Sequence, residues 1–341
     1  MNILVIRLSA MGDVAMSVYV LKALSEQYPR HKIFMITNKF FNPFFDDIPN
    51  ITLINPDLKG KHNGIFGLYR LFKEIKKDIK PGYFIDIHDI LRTKILRFFF
   101  RLSGTKTVKI NKSRKEKKQL TRNKNKILKP LKHTVERYTD TFSAAGISLK
   151  VSTYSILKKD ISDSEISNFL KGNKTKIGIA PFAKHPQKQY PIKKTEELIT
   201  KLSNRGYKIF LFGGGSEEKK IAEIIAEKHQ NTISLIGKLS LSEEMQIINN
   251  LDIMITPDSG NMHIAALTSV KIISIWGATH PFAGFTPYTN SENSVIIQNE
   301  KLTCRPCSVF GNKPCYKQSS ECLNSIEVDE IISAITKLSK S

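Results

Sequence analysis

The 341-residue chain is 40% hydrophobic and carries a formal net charge of +22. It exceeds what one hydrophobic core usually organises, so two domains are expected. The apolar start, Met1 to Leu8, is too short for a secretion signal, and no run approaches the roughly 20 apolar residues of a membrane span; the composition fits a cytoplasmic protein with peripheral membrane contact and an anionic partner.

From the N-terminus, Ile3 to Leu8 reads as a buried strand, followed by the turn Ser9-Ala10-Met11-Gly12-Asp13 and a helix from about Val14 to Gln27. The turn has neither the Gly-Lys-Ser/Thr of a Walker loop nor a Gly-x-Gly-x-x-Gly fingerprint. What it offers is Asp13 at a helix N-terminus, as a cap or as a base that removes a proton from a hydroxyl. Further strands are expected at Lys32–Thr37, Ile51–Ile54 and Tyr83–Ile87, with helical stretches between them. Strands alternating with helices make a parallel sheet covered on both faces. Beyond the last of these lie His88, Arg92 and Lys94, then Arg97-Phe98-Phe99-Phe100-Arg101, a mixture of aromatics and cations suited to an anionic lipid surface. Between Arg101 and His133 stand 13 Lys or Arg against one acid, Glu116, and this block reads as an exposed loop. Nucleic-acid binding would require stacking aromatics among the cations, and 101–133 has no ring except that of His133, so no nucleic-acid partner is expected.

A polar stretch from Leu157 to Lys174 marks the seam, giving domains 1–160 and 161–327, with the final helix (Val328 to Leu338, within 328–341) expected to pack back across it. The strand-helix pattern restarts with Lys176–Ala180, Lys208–Phe212, Thr232–Ile236, Asp252–Ile255 and Lys271–Trp276. Two doubly wound halves facing across a cleft follow, and such sheets bind ligands beyond the carboxyl ends of their strands. There, Ala180 to Pro191 sets Lys184, His185 and Lys188 among prolines as a cationic rim for phosphate. The glycine turn Gly213-Gly214-Gly215 ends in Glu217 and Glu218, which suits ribose hydroxyls and not a dinucleotide. Pro257-Asp258-Ser259-Gly260-Asn261-Met262-His263 reads as strand end, tight turn and helix start, where backbone N–H groups meet an anion. Asp258 either caps that helix or accepts bonds from ligand hydroxyls, and His263 sits one turn in. Cys304, Cys307, Cys315 and Cys322 leave three readings open: a structural zinc site, packed reduced thiols, or a redox pair.

Arg7-Leu8-Ser9-Ala10-Met11-Gly12-Asp13-Val14, Lys188 ahead of Tyr190-Pro191, and Pro257 to Ala266, together with Trp276 to Pro281 and the cysteine cluster, resemble the bacterial ADP-heptose:lipopolysaccharide heptosyltransferases of glycosyltransferase family nine. The resemblance runs the length of the chain in matching order. It implies an α/β GT-B fold of two Rossmann-like domains, the N-terminal one for a lipid-linked acceptor and the C-terminal one for a nucleotide sugar. It also implies inverting transfer of heptose from ADP-heptose to the inner core of lipopolysaccharide, without cofactor or essential metal. On this resemblance Asp13 is the general base, Lys188 binds the diphosphate, Glu217 the ribose and Asp258 the heptose hydroxyls, with Ser259, Gly260 and His263 around the phosphates. Ser9, Gly12, His88, Arg92 and Lys94 then meet the anionic glycan acceptor, and the basic block meets the inner face of the cytoplasmic membrane. The chain departs from the family at Ala183-Lys184, where many members have paired small hydroxyl residues; Lys184 becomes a further phosphate contact. Another nucleotide sugar or another surface-glycan acceptor stays open as the alternative. No Asp-x-Asp occurs, so lysines and helix termini are expected to neutralise the leaving group.

Overall fold

The computed structural model describes residues 1–156 and 165–340. They form two compact units, Met1–Lys112 with Lys132–Ser152, and Ser113–Leu131 with Thr153–Ser341. The expected boundary at 160/161 lies outside the described residues, as does the start of the expected seam, 157–164.

In the first unit, β1 (Asn2–Ile6), β2 (Lys32–Ile36), β3 (Ile51–Ile54), β4 (Tyr83–Asp86) and β5 (Lys106–Lys109) form one parallel sheet in the order β3-β2-β1-β4-β5. The central strand is nearly all aliphatic because helices cover both of its faces. Along the chain come α1 (Met11–Gln27), α2 (Gly64–Asp78), α3 (Leu91–Leu102), α4 (Arg114–Thr121, part of the second unit) and α5 (Thr134–Ser143). Leu68, Leu71 and Phe72 of α2 and Leu96 and Phe100 of α3 close over Leu4, Ile6 and Phe84. Phe100 stacks on Phe84 at 4.8 Å between centroids and meets Phe72 edge-on at 5.0 Å. Helix α1 packs beside α5, where the buried Tyr138 hydroxyl donates to the Asp13 carbonyl at 3.1 Å.

The second unit contains β6 (Lys176–Ile179), β7 (Lys208–Leu211), β8 (Thr232–Ser234), β9 (Ile253–Pro257), β10 (Lys271–Trp276) and β11 (Ser294–Gln298), in the order β11-β10-β9-β6-β7-β8. Its helices are α6 (Glu165–Leu170), α7 (Ile192–Asn204), α8 (Ser216–Lys228), α9 (Leu241–Ile248), α10 (Gly260–Ala266), α11 (Glu321–Asn324) and α12 (Val328–Lys340). Ile331, Ile335 and Leu338 of α12 join Leu198 and Leu202 of α7 in the core against the sheet. The last helix packs on α7, β10 and β11 of its own unit.

Two edge strands, β5 and β11, were not expected from the sequence. β5 is half lysine and carries no apolar signature, while β11 has only the short run Val295-Ile296-Ile297 behind a polar stretch. The basic block also departs from the expected loop. It forms α4, buries Leu120, sets the Lys117 ammonium 4.7 Å from the Phe285 ring centroid, and sends Lys126 Nζ to the carbonyls of Cys304 (2.6 Å) and Pro306 (2.9 Å). Its cations are drawn to aromatic faces and carbonyls of the second unit. Among the described residues no helix is long and apolar enough to cross a membrane.

Candidate active site

Each sheet has one place where successive connections leave in opposite directions, and there the loops part to form a crevice. In the first sheet it lies between β1 and β4, and in the second between β6 and β9. The loops at these two points hold nearly all of the residues singled out from the sequence.

In the first unit, Arg7 follows β1 and is buried; its guanidinium donates to the Ile87 carbonyl at 2.8 Å and pairs with Asp13 Oδ2 at 2.5 Å. Burial works against the Arg7 charge, but Asp13, Tyr138 and Asp86 together outweigh it, and the guanidinium pKa is held above its ordinary value. Asp13 is the third residue of α1, whose N-cap is Ala10 with no side-chain capping bond. The aspartate is therefore no cap. It is a carboxylate fixed by a buried arginine, with 27% of its side chain still open to solvent.

Across the switch point, the Leu8 amide donates to His88 Nδ1 at 3.3 Å. His88 is buried, and burial first, then Arg7 and Lys112, push its pKa down to about 3. It is thus a neutral tie between the two loops. Buried Asp86 shapes the turn by accepting the amides of His88 (3.0 Å) and Asp89 (2.7 Å) and pairing with Arg97 at 2.5 Å. Arg92 and Lys94 project exposed from the first turn of α3, and Ser9 is exposed in the opposite loop beside half-buried Gly12.

In the second unit, Lys188 Nζ and Asp258 Oδ2 lie 3.0 Å apart, joining the loop after β6 to the loop after β9. Both side chains are nearly buried. Asp258 therefore does not cap α10; the N-cap is Ser259, whose hydroxyl meets Thr256 Oγ1 at 3.1 Å instead of a helix amide. Gly260 opens that helix, and His263 is buried within it. Lys184 is exposed in the same loop as Lys188, and burial followed by these two lysines lowers the pKa of His185 between them. Glu217 follows the neighbouring strand β7 and is exposed, 3.4 Å from Lys220. Its neighbour Glu218 turns back to accept the Gly214 amide at 2.8 Å, which shapes the glycine turn.

What holds Lys188 leaves no mark in the sequence. Arg305, buried, donates to the carbonyls of Gly277 (2.5 Å), Asn299 (2.8 Å), Trp276 (3.0 Å) and Thr279 (3.0 Å). It thereby fixes the loop after β10, whose Ala278 amide donates to the Gln187 carbonyl at 3.1 Å, next to Lys188. Ala278 in turn accepts the Cys307 amide at 3.1 Å. Gly311, in the left-handed region at φ +72°, lies against the lysine stem; a Cβ there would stand 2.5 Å from Lys188 Cγ. At the end of the same loop, His280 Nδ1 accepts the Phe282 amide at 3.1 Å, and burial, then Arg305 and Lys126, lower its pKa to about 4. The four cysteines are free thiols lining one pocket. Among the described residues no group of three or more His, Cys, Asp or Glu is gathered to hold a metal ion, so the zinc set is not assembled.

Solved structures share this architecture. A family 9 glycosyl transferase from Veillonella parvula superposes with a TM-score of 0.79 at 22% identity, covering 100% of this chain and 98% of that one. The E. coli ADP-heptose lps heptosyltransferase II does so with 0.72 at 18%, covering 99% and 98%. Two Rossmann-like units with polar switch points thus define a glycosyltransferase fold of the GT-B class. In sequence, the chain is 26% identical over 333 residues to lipooligosaccharide heptosyltransferase 2 of Haemophilus influenzae, covering 89% of this chain and 91% of that protein. It is 25% identical over 354 residues to lipopolysaccharide heptosyltransferase 1 of Campylobacter coli, covering 99% of each. The profile of glycosyltransferase family 9 (heptosyltransferase) matches residues 84–313, and the chain belongs to that family.

Proposed function

We propose that the protein transfers heptose from ADP-heptose to the inner core of lipopolysaccharide, working peripherally on the inner face of the cytoplasmic membrane. The observation that carries this reading is the Lys188–Asp258 pair at the switch point of the second sheet: a cation for a diphosphate beside a carboxylate for sugar hydroxyls. Asp13 accepts the proton of the acceptor hydroxyl. The freed oxygen attacks the anomeric carbon from the face opposite the leaving group, the bond to the β-phosphate oxygen breaks, and its electron pair leaves on ADP with inversion. Charge building on that oxygen is met by Lys188, by Lys184 and by the backbone amides at Ser259 and Gly260. Glu217 takes the ribose, and His263 lines the phosphate side. Ser9, Gly12, Arg92 and Lys94 hold the anionic acceptor, with His88 fixing their loops. No metal enters this scheme, since lysine supplies the positive charge.

Thermal unfolding with ADP, UDP, GDP and their sugars tests the donor. Stabilisation by ADP-heptose above the others is the expected result, and preference for UDP-sugars would move the assignment to another nucleotide sugar. Transfer undiminished by EDTA is expected in the same samples.

A further inference from the structure

The first unit carries an apolar stripe that the scheme above does not use. On α3, Leu91, Phe98 and Leu102 are 75%, 57% and 71% exposed, and on α2 Phe66 is 86% exposed. Positions 91, 95, 98 and 102 follow helical spacing, so they form one stripe. The stripe does not stop at the helix edge: Phe98 abuts Phe99 at 6.0 Å between centroids, and Phe99 meets half-exposed Tyr69 of α2 edge-on at 5.3 Å. Lone exposed apolar residues are ordinary, but a stripe continued across two packed helices marks a contact surface.

Its charge says what it contacts. Helix α3 contains no acid; Arg97 is taken up by Asp86, and Lys94 and Arg101 flank Phe98 at i−4 and i+3. On α2, Lys73 stands one turn beyond Tyr69, with its ammonium 5.4 Å from that ring's centroid. Aromatics bordered by cations on the exposed face of amphipathic helices match an anionic bilayer, with rings at the headgroup level and ammonium groups on phosphate. We infer that the α2–α3 face docks the protein on an anionic membrane. This rests on the proposed lipid-linked acceptor for its purpose: Leu91 opens α3 three residues after His88, so the stripe begins beside the acceptor loops. It also redirects the reading of the basic block, where Lys117 and Lys126 are engaged within the second unit.

The test is co-sedimentation of the full chain with phosphatidylcholine vesicles, with and without phosphatidylglycerol. Wild type should bind only the mixed vesicles. Phe66→Ser/Phe98→Ser should abolish binding, and Lys73→Glu/Arg101→Glu should weaken it by at least about fivefold per cation, with unchanged thermal unfolding because all four side chains are exposed. Lys115→Glu/Lys118→Glu in the block serves as the comparison and should bind much closer to wild type. Wild-type binding by the α2–α3 variants, a loss confined to the block variant, or a dimer that Phe66→Ser/Phe98→Ser dissolves would overturn the inference. The readout needs no donor or acceptor, so a failed heptosyl assay would leave it standing, and normal transfer to a delipidated acceptor by vesicle-deficient variants would separate the two.

Discussion

Asp13, Lys188 and Asp258 were legible in the sequence because each closely follows a strand that reads as buried, and chemistry in such sheets gathers where strands end. Arg7's role was not, because its partner carbonyl on Ile87 lies 80 residues away. The geometry makes three predictions at this scale. Asp13→Asn should lower turnover by roughly 10²–10⁴, the usual cost of losing a general base, with ADP affinity from calorimetry unchanged. Lys188→Met leaves nearly buried Asp258 without its counter-charge, which should cost about 3 kcal/mol of stability. Lys188→Met/Asp258→Asn should regain much of that in denaturant unfolding, while both variants stay inactive. The third concerns acid. His88 stays neutral in the fold down to about pH 3, whereas in the unfolded chain it takes a proton near 6.5. Between those values the unfolded state binds more protons, so stability falls as pH is lowered, by at most about 1.4 kcal/mol per unit. His88→Asn, whose amide oxygen can accept the Leu8 N–H, should flatten that slope in unfolding titrations across the window.

At the scale of elements, central strands and their helices were readable because fully covered strands are aliphatic and the helices between them amphipathic. The edge strand β5 was not, since lysines at an edge face solvent and erase the pattern. The cysteine segment shows the same limit. Its spacing left zinc, packed thiols and a redox pair all open, and in the fold its arginine does the structural task, gathering four carbonyls around one guanidinium. Arg305→Met should therefore lower stability by about 3 kcal/mol or more, because several buried acceptors lose their donor together. Gly311→Ala makes a subtler prediction. The left-handed backbone and the contact with Lys188 should displace the lysine, so KM for the donor should rise with only about 1 kcal/mol lost in unfolding.

For the whole molecule, membership in family 9 was visible in short motifs, while the division of the chain was not. The basic block, 101–133, read as an exposed loop within the first 160 residues, and it includes residues 113–131. Packing joins them to the second unit, because buried Leu120 and the cations over Phe285 and against the Cys304 and Pro306 carbonyls outweigh proximity in sequence. The chain's +22 charge is thus divided between internal partners and outward-facing cations, and the second group responds more strongly to salt.

The Lys188–Asp258 pair has a consequence for turnover. A ligand bearing only phosphate meets a lysine already compensated, and one bearing only hydroxyls meets a carboxylate already compensated. On the proposed reading, a molecule with both separates the two most readily, so the loops act as a coincidence detector for an intact nucleotide sugar. On the same proposed reading, once the sugar has left, Asp258 reclaims Lys188 and loosens the hold on ADP, so the contact that admits the donor also helps to expel the product.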